Sequence, residues 1–420
     1  MPPSGREDAF LRTTSLTGIM LIATLVAIYM ASQTLRNSIG VIAPNLAAEL
    51  DLSAGQLGVL SSAFFLSFAA AQAPLGVALD RFGTKLCVLA CTAIVIAGTV
   101  LFAAAESSAG LTFARILIGL GSSCYLMAPL TLYARRFPPD RFSTLAGIQM
   151  GLGTVGTLLA TAPLALSTAA LGWRATFWAI AAVMLAGGIL VAVVVPGDRA
   201  SALARGESWR AGLLGTLRAV RLPSMTRLFL MQLTAYSSFA LVVGLWGGPY
   251  LTHVHGYGLV ERGDLLFLAA AGQVIGLLLN GPVQRRVRRH KPQVVFGAGL
   301  TAGLLLLLAL AGPLPRPLLI VWLFTFGMAS AYTPTLIAHG KSLLPPDLTG
   351  RGLTWLNIGS MGGAFLAQLI SGAVIDLFPA AADGAYPLAA YQAVFALQAA
   401  FLLLALLPYG RAADPVHSKM

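Results

Sequence analysis

Charged residues are scarce in this sequence, because Asp, Glu, Lys and Arg make up only 10% of its 420 residues while 57% are hydrophobic. The mean hydropathy is correspondingly high, at +0.81. A protein that folds in water needs a largely polar and charged surface, so this composition excludes most soluble enzymes and soluble binding proteins. The composition instead predicts a chain embedded in a lipid bilayer.

Cysteine is also rare, and the three cysteines form no pattern typical of a disulfide framework or a thiolate metal site. Cys87, Cys91 and Cys124 all lie inside apolar segments. His253 and His255 resemble half of a metal site, but the sequence places no third ligand near them. We therefore predict no metal ion and no cofactor.

Basic residues are present in excess, with a formal net charge of +12, but they are not arranged as a nucleic-acid-binding surface. Most of the 27 Lys and Arg residues lie in the two termini and in alternate loops, while the opposite loops hold only Arg174, Arg262 and Arg316. By the positive-inside rule, both termini are predicted to be cytoplasmic. The lipid bilayer is the expected partner, no nucleic acid is expected, and the composition is typical of a bacterial inner-membrane protein.

Apolar stretches of about 20 residues, long enough to cross roughly 30 Å of hydrocarbon as a helix, recur along the whole chain. The predicted transmembrane helices are 16–45, 55–79, 86–105, 109–134, 143–168, 174–196, 225–250, 263–283, 293–312, 316–343, 352–377 and 388–408. A single long polar segment divides them six and six. We predict an N-terminal six-helix bundle over 1–197, a cytoplasmic linker over 198–224, and a C-terminal six-helix bundle with a short tail over 225–420.

An internal repeat supports this division. The loop after the fourth predicted helix reads FPPDRFSTLAGIQMG, and the loop after the tenth reads LPPDLTGRGLTWLNIG. Similar loops at the same place in each half indicate a duplicated six-helix unit, whose two copies are related by a pseudo-twofold axis.

Three short motifs carry a family resemblance. The loop between the second and third helices reads GVALDRFGTK, the fourth helix contains ARILIGLGSS, and the sixth begins with GWRATFW. Together they resemble the major facilitator superfamily of transporters, over the whole chain. The resemblance implies an all-α fold of twelve transmembrane helices in two bundles, and alternating access driven by a proton or substrate gradient.

The same resemblance assigns a gating role to the first motif. In that family the carboxylate and the arginine of this loop link neighbouring helices on the cytoplasmic side and help to latch the outward-facing state. The residues that match are Gly76, Asp80, Arg81, Gly83 and Lys85.

Two arginines lie inside predicted helices, where an ionisable group is costly and is by default functional. Arg36 is flanked by Gln33 and Asn37, and Arg115 lies in the fourth helix. No Asp or Glu lies near the middle of any predicted helix, so the core offers only positive charge. We predict that an anion binds between the halves, held by Arg36 and Arg115. The alternatives are that Arg36 extends to the lipid headgroups and that Arg115 braces neighbouring helices.

Further polar and aromatic side chains are candidates to line the cavity, and the alternative for each is hydrogen bonding or packing between helices. These candidates are Gln72, Tyr125, Gln149, Tyr236, Trp246, Gln273, Tyr332 and Asn357. In the seventh helix the run WGGPY predicts a flexible break through Gly247, Gly248 and Pro249 that acts as an outer gate.

The sequence thus predicts a monomeric secondary active transporter of a small organic or inorganic anion, with a proton as a possible coupling ion. An enzyme is not expected, and no glycine-rich nucleotide-binding loop is present. Export of amphipathic or drug-like compounds is the alternative, with the arginines then structural. A ligand sensor built on a transporter fold is a further alternative.

Overall fold

The computed structural model describes residues 16–197, 223–344 and 349–414, which are almost entirely helical. Most of the predicted linker, 198–222, lies outside the described residues. The helices are α1 Leu16–Asn37, α2 Ile39–Leu50, α3 Ala54–Phe82, α4 Thr84–Ala104, α5 Ser108–Ser122, α6 Cys124–Arg136, α7 Pro139–Leu159, α8 Ala162–Val194, α9 Pro223–Leu241, α10 Gly247–His253, α11 Leu259–Val287, α12 Lys291–Leu310, α13 Arg316–Ala329, α14 Thr333–Leu343, α15 Thr349–Ile375 and α16 Leu388–Tyr409.

These helices make twelve passes through the bundle, because several passes are built from two helices joined by a short break. The first pass joins α1 to α2 at Ser38, and the fourth joins α5 to α6 at Ser123. A π-helical turn, Val242–Trp246, joins α9 to α10 in the seventh pass. A 3₁₀ turn, Ser330–Tyr332, joins α13 to α14 in the tenth. Such irregular turns are tolerated at membrane depth only where protein surrounds the backbone.

The fifth and sixth passes meet at Gly172. This glycine lies within α8 but has φ of +81°, a conformation that favours glycine, so the chain reverses there. The fifth pass is therefore α7 with the first ten residues of α8, and the sixth is the remainder of α8. Eleven helices of the described residues are long and apolar enough to cross a membrane, and the division at Gly172 supplies the twelfth pass. The predicted all-α architecture is confirmed.

The bundle has two faces, which we name by the chain termini. The terminal face is the one at which the first pass begins, near Leu16, and the last pass ends, near Tyr409. The distal face is the opposite one, where α2 ends and α3 begins. An even number of passes places both ends of the described chain on the terminal face.

The two halves cross closely near the distal face, where glycines face backbone of the other half. A Cβ added at Gly40 of α2 would overlap the carbonyl of Val243, and one added at Gly248 would overlap the carbonyl of Gly40. Gly58 of α3 likewise lies against Gly372 of α15. Small residues of this kind allow helix backbones to approach one another in a membrane. The distal face is therefore closed.

The break in the seventh pass lies one turn earlier than the sequence predicted. Gly247, Gly248 and Pro249 are all part of α10, and the irregular turn is Val242–Trp246 instead. Pro249 is tolerated because it lies in the first turn of the new helix, where its missing N–H would have no partner in the helix. Gly248 allows the close crossing with α2, and neither glycine breaks the helix.

Candidate functional site

Arg36 lies at the end of α1, in the middle of the first pass, with only 7% of its surface exposed. Its guanidinium carbon lies 4.7 Å from the centre of the Phe68 ring and 5.7 Å from that of Phe64. Both phenylalanines project from α3 at a spacing of four residues, which places them on one helix face. Their rings stabilise the buried cation through its attraction to the aromatic face.

Arg36 has no acceptor for its charge within the described part of the chain. It forms no salt bridge there, and its Nε atom is buried without a hydrogen-bond partner. Burying a cation without a partner is costly, so such a group is expected to receive an anion at some stage of the protein's action. A planar guanidinium with free donors suits a carboxylate, sulfonate or phosphate.

Arg115 is fully buried and, unlike Arg36, has backbone acceptors. Its two terminal amino groups donate to the carbonyl oxygens of Leu35, at 2.7 Å, and Arg36, at 3.3 Å. The Ser38 hydroxyl donates to the same Leu35 oxygen, at 3.0 Å. These carbonyls belong to the last turn of α1, where a helix leaves acceptors unsatisfied. Arg115 therefore holds the break in the first pass and fixes the backbone that carries Arg36.

Gln33 and Asn37, the predicted neighbours of Arg36, are both buried. The Asn37 amide donates to the Gln33 carbonyl, at 3.0 Å, and to the Thr157 hydroxyl, at 3.5 Å. The side-chain oxygens of Gln33 and Asn37 are buried without a partner. Together with Arg36, they concentrate unsatisfied polar atoms on about one turn of helix, where a polar ligand could supply the missing partners.

The second half contributes Tyr236 to the same region. The half-buried Tyr236 ring of α9 lies 6.3 Å from that of Phe65 on α3. Tyr29 lies two helical turns before Arg36. It is close enough to Arg36 and Tyr236 to interact with both electrostatically. We name Tyr29, Arg36, Phe65, Phe68 and Tyr236 the Arg36 site. It is aromatic, carries one positive charge and spans both halves.

Several other predicted lining residues are engaged within one half. Tyr125 donates from its hydroxyl to Thr92, at 3.1 Å, and Trp246 donates from its indole to Ser371, at 2.6 Å. The Tyr332 ring packs against Gly297, and its hydroxyl is buried without a partner. The structure does not bring these three side chains to the Arg36 site.

Gln149 is fully buried in α7 and ties together three passes of the first half. Its oxygen accepts from the Tyr133 hydroxyl, at 2.9 Å, and its amide donates to the carbonyls of Leu25, at 3.2 Å, and Tyr125, at 3.3 Å. All its hydrogen-bonding capacity is directed within its own half. This geometry favours a structural role.

Replacing Gln149 with leucine is therefore expected to lower the free energy of unfolding by about 1–3 kcal/mol, because the Tyr133 hydroxyl loses its acceptor in a dry interior. Thermal unfolding of the detergent-purified protein measures the effect. Ile148→Leu, on the partly exposed side of the same helix, is the matched control and should change little. Equal stability of Gln149→Leu and the control would show that the network contributes nothing.

Gln72, Gln273 and Asn357 occupy three different helices. Gln72 of α3 and Gln273 of α11 are buried, at 6% and 8% exposure, and Asn357 of α15 is half-buried. Gln72 follows Phe68 by four residues on the same face of α3, one turn nearer the terminal face. A role in substrate binding stays a prediction for all three.

The predicted gating residues lie at the terminal face of the first half. Asp80 of α3 pairs with Arg135 of α6 at 2.8 Å, and Lys85 donates to the carbonyl of Ala192 at 2.6 Å. Arg81 is exposed, and its guanidinium lies against the ring of Phe82. Gly76 is exposed and in open space, while Gly83 has φ of +80° at the junction of α3 and α4. The loop therefore links α3, α6 and α8 within one half.

Charged and polar groups fasten the two halves at the distal face. Asp376, just after α15, accepts from the Ser53 hydroxyl at 3.0 Å and from the Gly55 amide at 2.8 Å. This carboxylate lies at the N-terminus of α3, where the helix dipole favours negative charge. Arg262 of α11 donates to the Val41 carbonyl at 2.8 Å and also to the Asn45 side chain. We name these contacts of Asp376 and Arg262 the distal latch.

A separate apolar groove lies between the first and fifth passes, in their halves nearer the terminal face. Its volume is about 690 Å³, and it contains neither arginine of the membrane interior. The lining residues are Ile19, Ile22, Ala23, Val26, Ala27, Met30, Arg141, Thr144, Leu145, Ile148 and Leu152. Such a groove suits the apolar part of an amphipathic molecule or lipid.

Sequence reasoning missed the aromatic partners of Arg36 and the acceptor in the distal latch. Phe64, Phe65 and Phe68 are apolar residues at helical spacing, which are usually packed in a core. Asp376 follows the last residue of α15, so the sequence alone did not distinguish it from a solvated loop carboxylate.

No cluster of three or more potential metal ligands occurs among the residues that the structure describes.

Comparisons of this sequence with known proteins all indicate the same family. The sequence profile of the Major Facilitator Superfamily matches residues 25–367 and 228–419. A chloramphenicol resistance protein of Streptomyces lividans is 29% identical over 338 residues, which are 78% of this chain and 83% of the relative. A protein of Cupriavidus necator named "Probable sulfoacetate transporter SauU" is 26% identical over 70% of both chains. The 3-(3-hydroxy-phenyl)propionate transporter of Escherichia coli is 28% identical over 64% of this chain and 65% of the relative.

Solved structures share the fold. The nucleoside transporter NupG has a TM-score of 0.74 at 14% identity and covers 93% of this chain and 98% of its own. A bacterial homologue of the human lysosomal transporter Spinster, in an inward-facing and unoccupied conformation, has a TM-score of 0.76 at 17% identity. It covers 95% of this chain and 97% of its own. At these identities the likeness concerns the fold alone.

Proposed function

Because the chain belongs to the Major Facilitator Superfamily, we propose that it is a secondary active transporter that moves a small anion across the membrane by alternating access. The observation that supports an anionic substrate is Arg36, a buried cation that has no acceptor among the described residues. The Tyr236 ring of the other half lies 6.3 Å from that of Phe65, so a ligand held beside these rings would contact both bundles. Binding between the bundles is what couples a solute to their rocking motion.

Two relatives support an organic anion. The names of the relatives from Cupriavidus necator and Escherichia coli specify sulfoacetate and 3-(3-hydroxyphenyl)propionate. Both molecules carry a carboxylate that is ionised at neutral pH. The aromatic walls of the Arg36 site also suit a substrate with an apolar or aromatic part beside its charged group. Arg36 would hold the charged group, and Phe65, Phe68 and Tyr236 would contact the remainder.

The orientation follows from the basic residues. We assign the terminal face to the cytoplasm of a bacterial inner membrane, because most Lys and Arg residues lie in the loops of that face and in the termini. The closed distal face is then the outer one, so this conformation is not outward-facing. We further propose that the protein is a monomer and that a proton is its coupling ion. Its two bundles comprise residues 1–197 and 225–420, and the linker 198–224 joins them.

Export of a drug-like molecule is the second candidate function. Two observations favour it: the relative from Streptomyces lividans is a chloramphenicol resistance protein, and the apolar groove between the first and fifth passes offers about 690 Å³. In this reading the arginines keep structural roles. Arg115 suits such a role, whereas the unpaired Arg36 does not.

Thermal unfolding of the purified protein with a panel of ligands separates the two candidates. A ligand that binds the native state at 100 times its Kd stabilises it by about 2.7 kcal/mol. The panel contains sulfoacetate, 3-(3-hydroxyphenyl)propionate, further short carboxylates and sulfonates, chloramphenicol, choline and glucose. We expect stabilisation by carboxylates or sulfonates but not by choline or glucose. Stabilisation by chloramphenicol alone would contradict an anionic substrate.

A further inference from the structure

His253, the last residue of α10, has one ring nitrogen within hydrogen-bond distance of two groups. Its Nδ1 atom lies 2.6 Å from the hydroxyl oxygen of Tyr391 on α16 and 3.3 Å from the backbone nitrogen of Tyr386. A backbone N–H can only donate, so Nδ1 must carry a lone pair in this arrangement. The hydrogen bond from Tyr386 can form only with a neutral His253 whose proton lies on Nε2.

Tyr386 connects this histidine to the other half of the protein. It lies in the loop between α15 and α16, and its hydroxyl donates to the Asp376 carboxylate at 2.9 Å. The same hydroxyl accepts from the backbone N–H of Ala54, the first residue of α3, at 3.1 Å. Tyr386 therefore joins α10 of the second half to the α3 terminus of the first half, directly beside the distal latch.

The Tyr386 hydroxyl retains its proton throughout the range in which histidine titrates. Burial, together with the carboxylate of Asp376, raises the pKa of Tyr386 above its ordinary value, which is already near 10. Its donation to Asp376 is therefore insensitive to moderate acid. Within this linkage, His253 is the side chain that can take up a proton in moderately acidic solution.

Charged groups of both signs surround His253. Asp383 acts on it from the Tyr386 loop, and Arg262 acts on it from α11. Arg262 also donates to Thr252, the residue before His253, at 3.0 Å. The remaining titratable neighbour is Tyr391 of α16, whose hydroxyl can turn from donor to acceptor.

We propose that His253 is a proton-binding site that controls the distal face: the neutral ring holds the distal latch closed, and the protonated ring releases it. A proton on Nδ1 would occupy its lone pair, so the Tyr386 N–H would lose its acceptor and face a like charge. The Tyr386 loop would then move away, and its hydroxyl would leave Asp376 and Ala54. Because the closed conformation excludes the proton, a fall in pH must shift the population towards the distal-open one. This inference does not depend on which solute is carried.

Distances between spin labels on the two halves test the proposal without a substrate. The labels replace Glu106 and Pro313, exposed loop residues at the distal face of the first and second halves. The background carries Cys87→Ala, Cys91→Ala and Cys124→Ala, and the full-length protein is held in lipid nanodiscs. At about pH 8 we expect one short distance. At about pH 5.5 we expect the fraction with a longer distance to rise at least roughly threefold.

Two variants of His253 sharpen the test. In His253→Asn, the amide oxygen replaces Nδ1 as an acceptor that takes up no proton, so the distal face should stay closed at both pH values. In His253→Phe no acceptor remains, so the longer distance should be populated at both. His255→Asn is the matched control, because His255 stacks on Tyr257 and has no described contact with Tyr386. It should keep the pH response of the unmodified protein.

Three results would overturn the proposal. The first is the absence of a pH response in the unmodified protein. The second is an undiminished response in His253→Asn, which would assign the titration to another group, such as His339 at the terminal face. The third is loss of the response in His255→Asn. Melting temperatures of all variants, measured alongside, identify any variant that fails to fold, and the remaining His253 variant then decides.

Discussion

Replacing Arg36 with alanine is expected to remove anion binding almost completely. A hydrogen bond to a charged group contributes about 1.5–3 kcal/mol, so loss of a single such bond weakens binding roughly 10- to 100-fold, and loss of a bidentate pair weakens it further. Ligand-induced thermal stabilisation, or calorimetric titration with the best anion of the panel, measures the loss. Arg36→Lys should retain part of the affinity, because lysine keeps the charge but lacks the planar pair of donors.

The folding of this variant is not expected to suffer greatly. The Arg36 side chain has no acceptor among the described residues, so its removal leaves no buried polar group without a partner. Arg285→Ala is the matched control, since Arg285 is exposed at the terminal face and should leave anion affinity unchanged. Undiminished anion binding by Arg36→Ala, in a protein that unfolds at its usual temperature, would remove Arg36 from the binding site.

Replacing Gly40 with alanine is expected to prevent full closure of the distal face and so to abolish transport. The added Cβ would overlap the carbonyl of Val243, which belongs to the backbone of the other half and cannot turn aside as a side chain can. Overpacking of this kind typically costs about 1–3 kcal/mol, which shifts the equilibrium between conformations roughly 5- to 150-fold against the closed one. Solute exchange across liposome membranes and the distal spin-label distance both report the change.

Gly151→Ala is the matched control for this substitution. Gly151 is also a glycine in a transmembrane helix, but a Cβ added there has no neighbour within 4 Å. The control should transport normally and gain slightly in helix stability. If Gly40→Ala transported as well as the control, the crossing of α2 with the seventh pass would not limit alternating access.

Much of the fold was predictable because the bilayer imposes simple rules. Every predicted transmembrane helix overlaps a pass of the structure, since length and apolar composition alone identify a helix that must cross hydrocarbon. The boundary between the fifth and sixth passes also agrees, because Gly172 lies between the two predicted helices. The breaks within passes were harder, and the turn of the seventh pass lies at Val242–Trp246, before the glycines that suggested it.

The candidate site was less predictable, because sequence shows which groups are buried but not what they contact. Arg36 and Arg115 look alike in sequence, yet only Arg115 has backbone acceptors. Tyr125 and Gln149 are predicted cavity residues, and the sequence did not reveal their hydrogen-bond partners within the first half. Hydrogen-bond partners distant in sequence depend on packing, which no local pattern encodes.

His339 illustrates the same limit. It lies near the end of α14, where a solvated histidine is the usual outcome. In the structure it is fully buried, with Nδ1 at 2.9 Å from the Tyr409 hydroxyl and Nε2 at 2.6 Å from the Ala413 carbonyl. It also stacks on His290, with ring centres 5.5 Å apart. The segment after α16 folds back over the terminal face and covers it, an arrangement that helical periodicity does not reveal.

Uptake of a labelled anion into liposomes is the most direct test of the central claim, that Arg36 binds an anionic substrate between the two halves. The measurement uses the anion that best stabilises the purified protein, and compares the unmodified protein with Arg36→Ala and Arg285→Ala. We expect saturable uptake by the unmodified protein and by Arg285→Ala, and no uptake above background by Arg36→Ala. Equal uptake by all three, or uptake of chloramphenicol but of no anion, would contradict it.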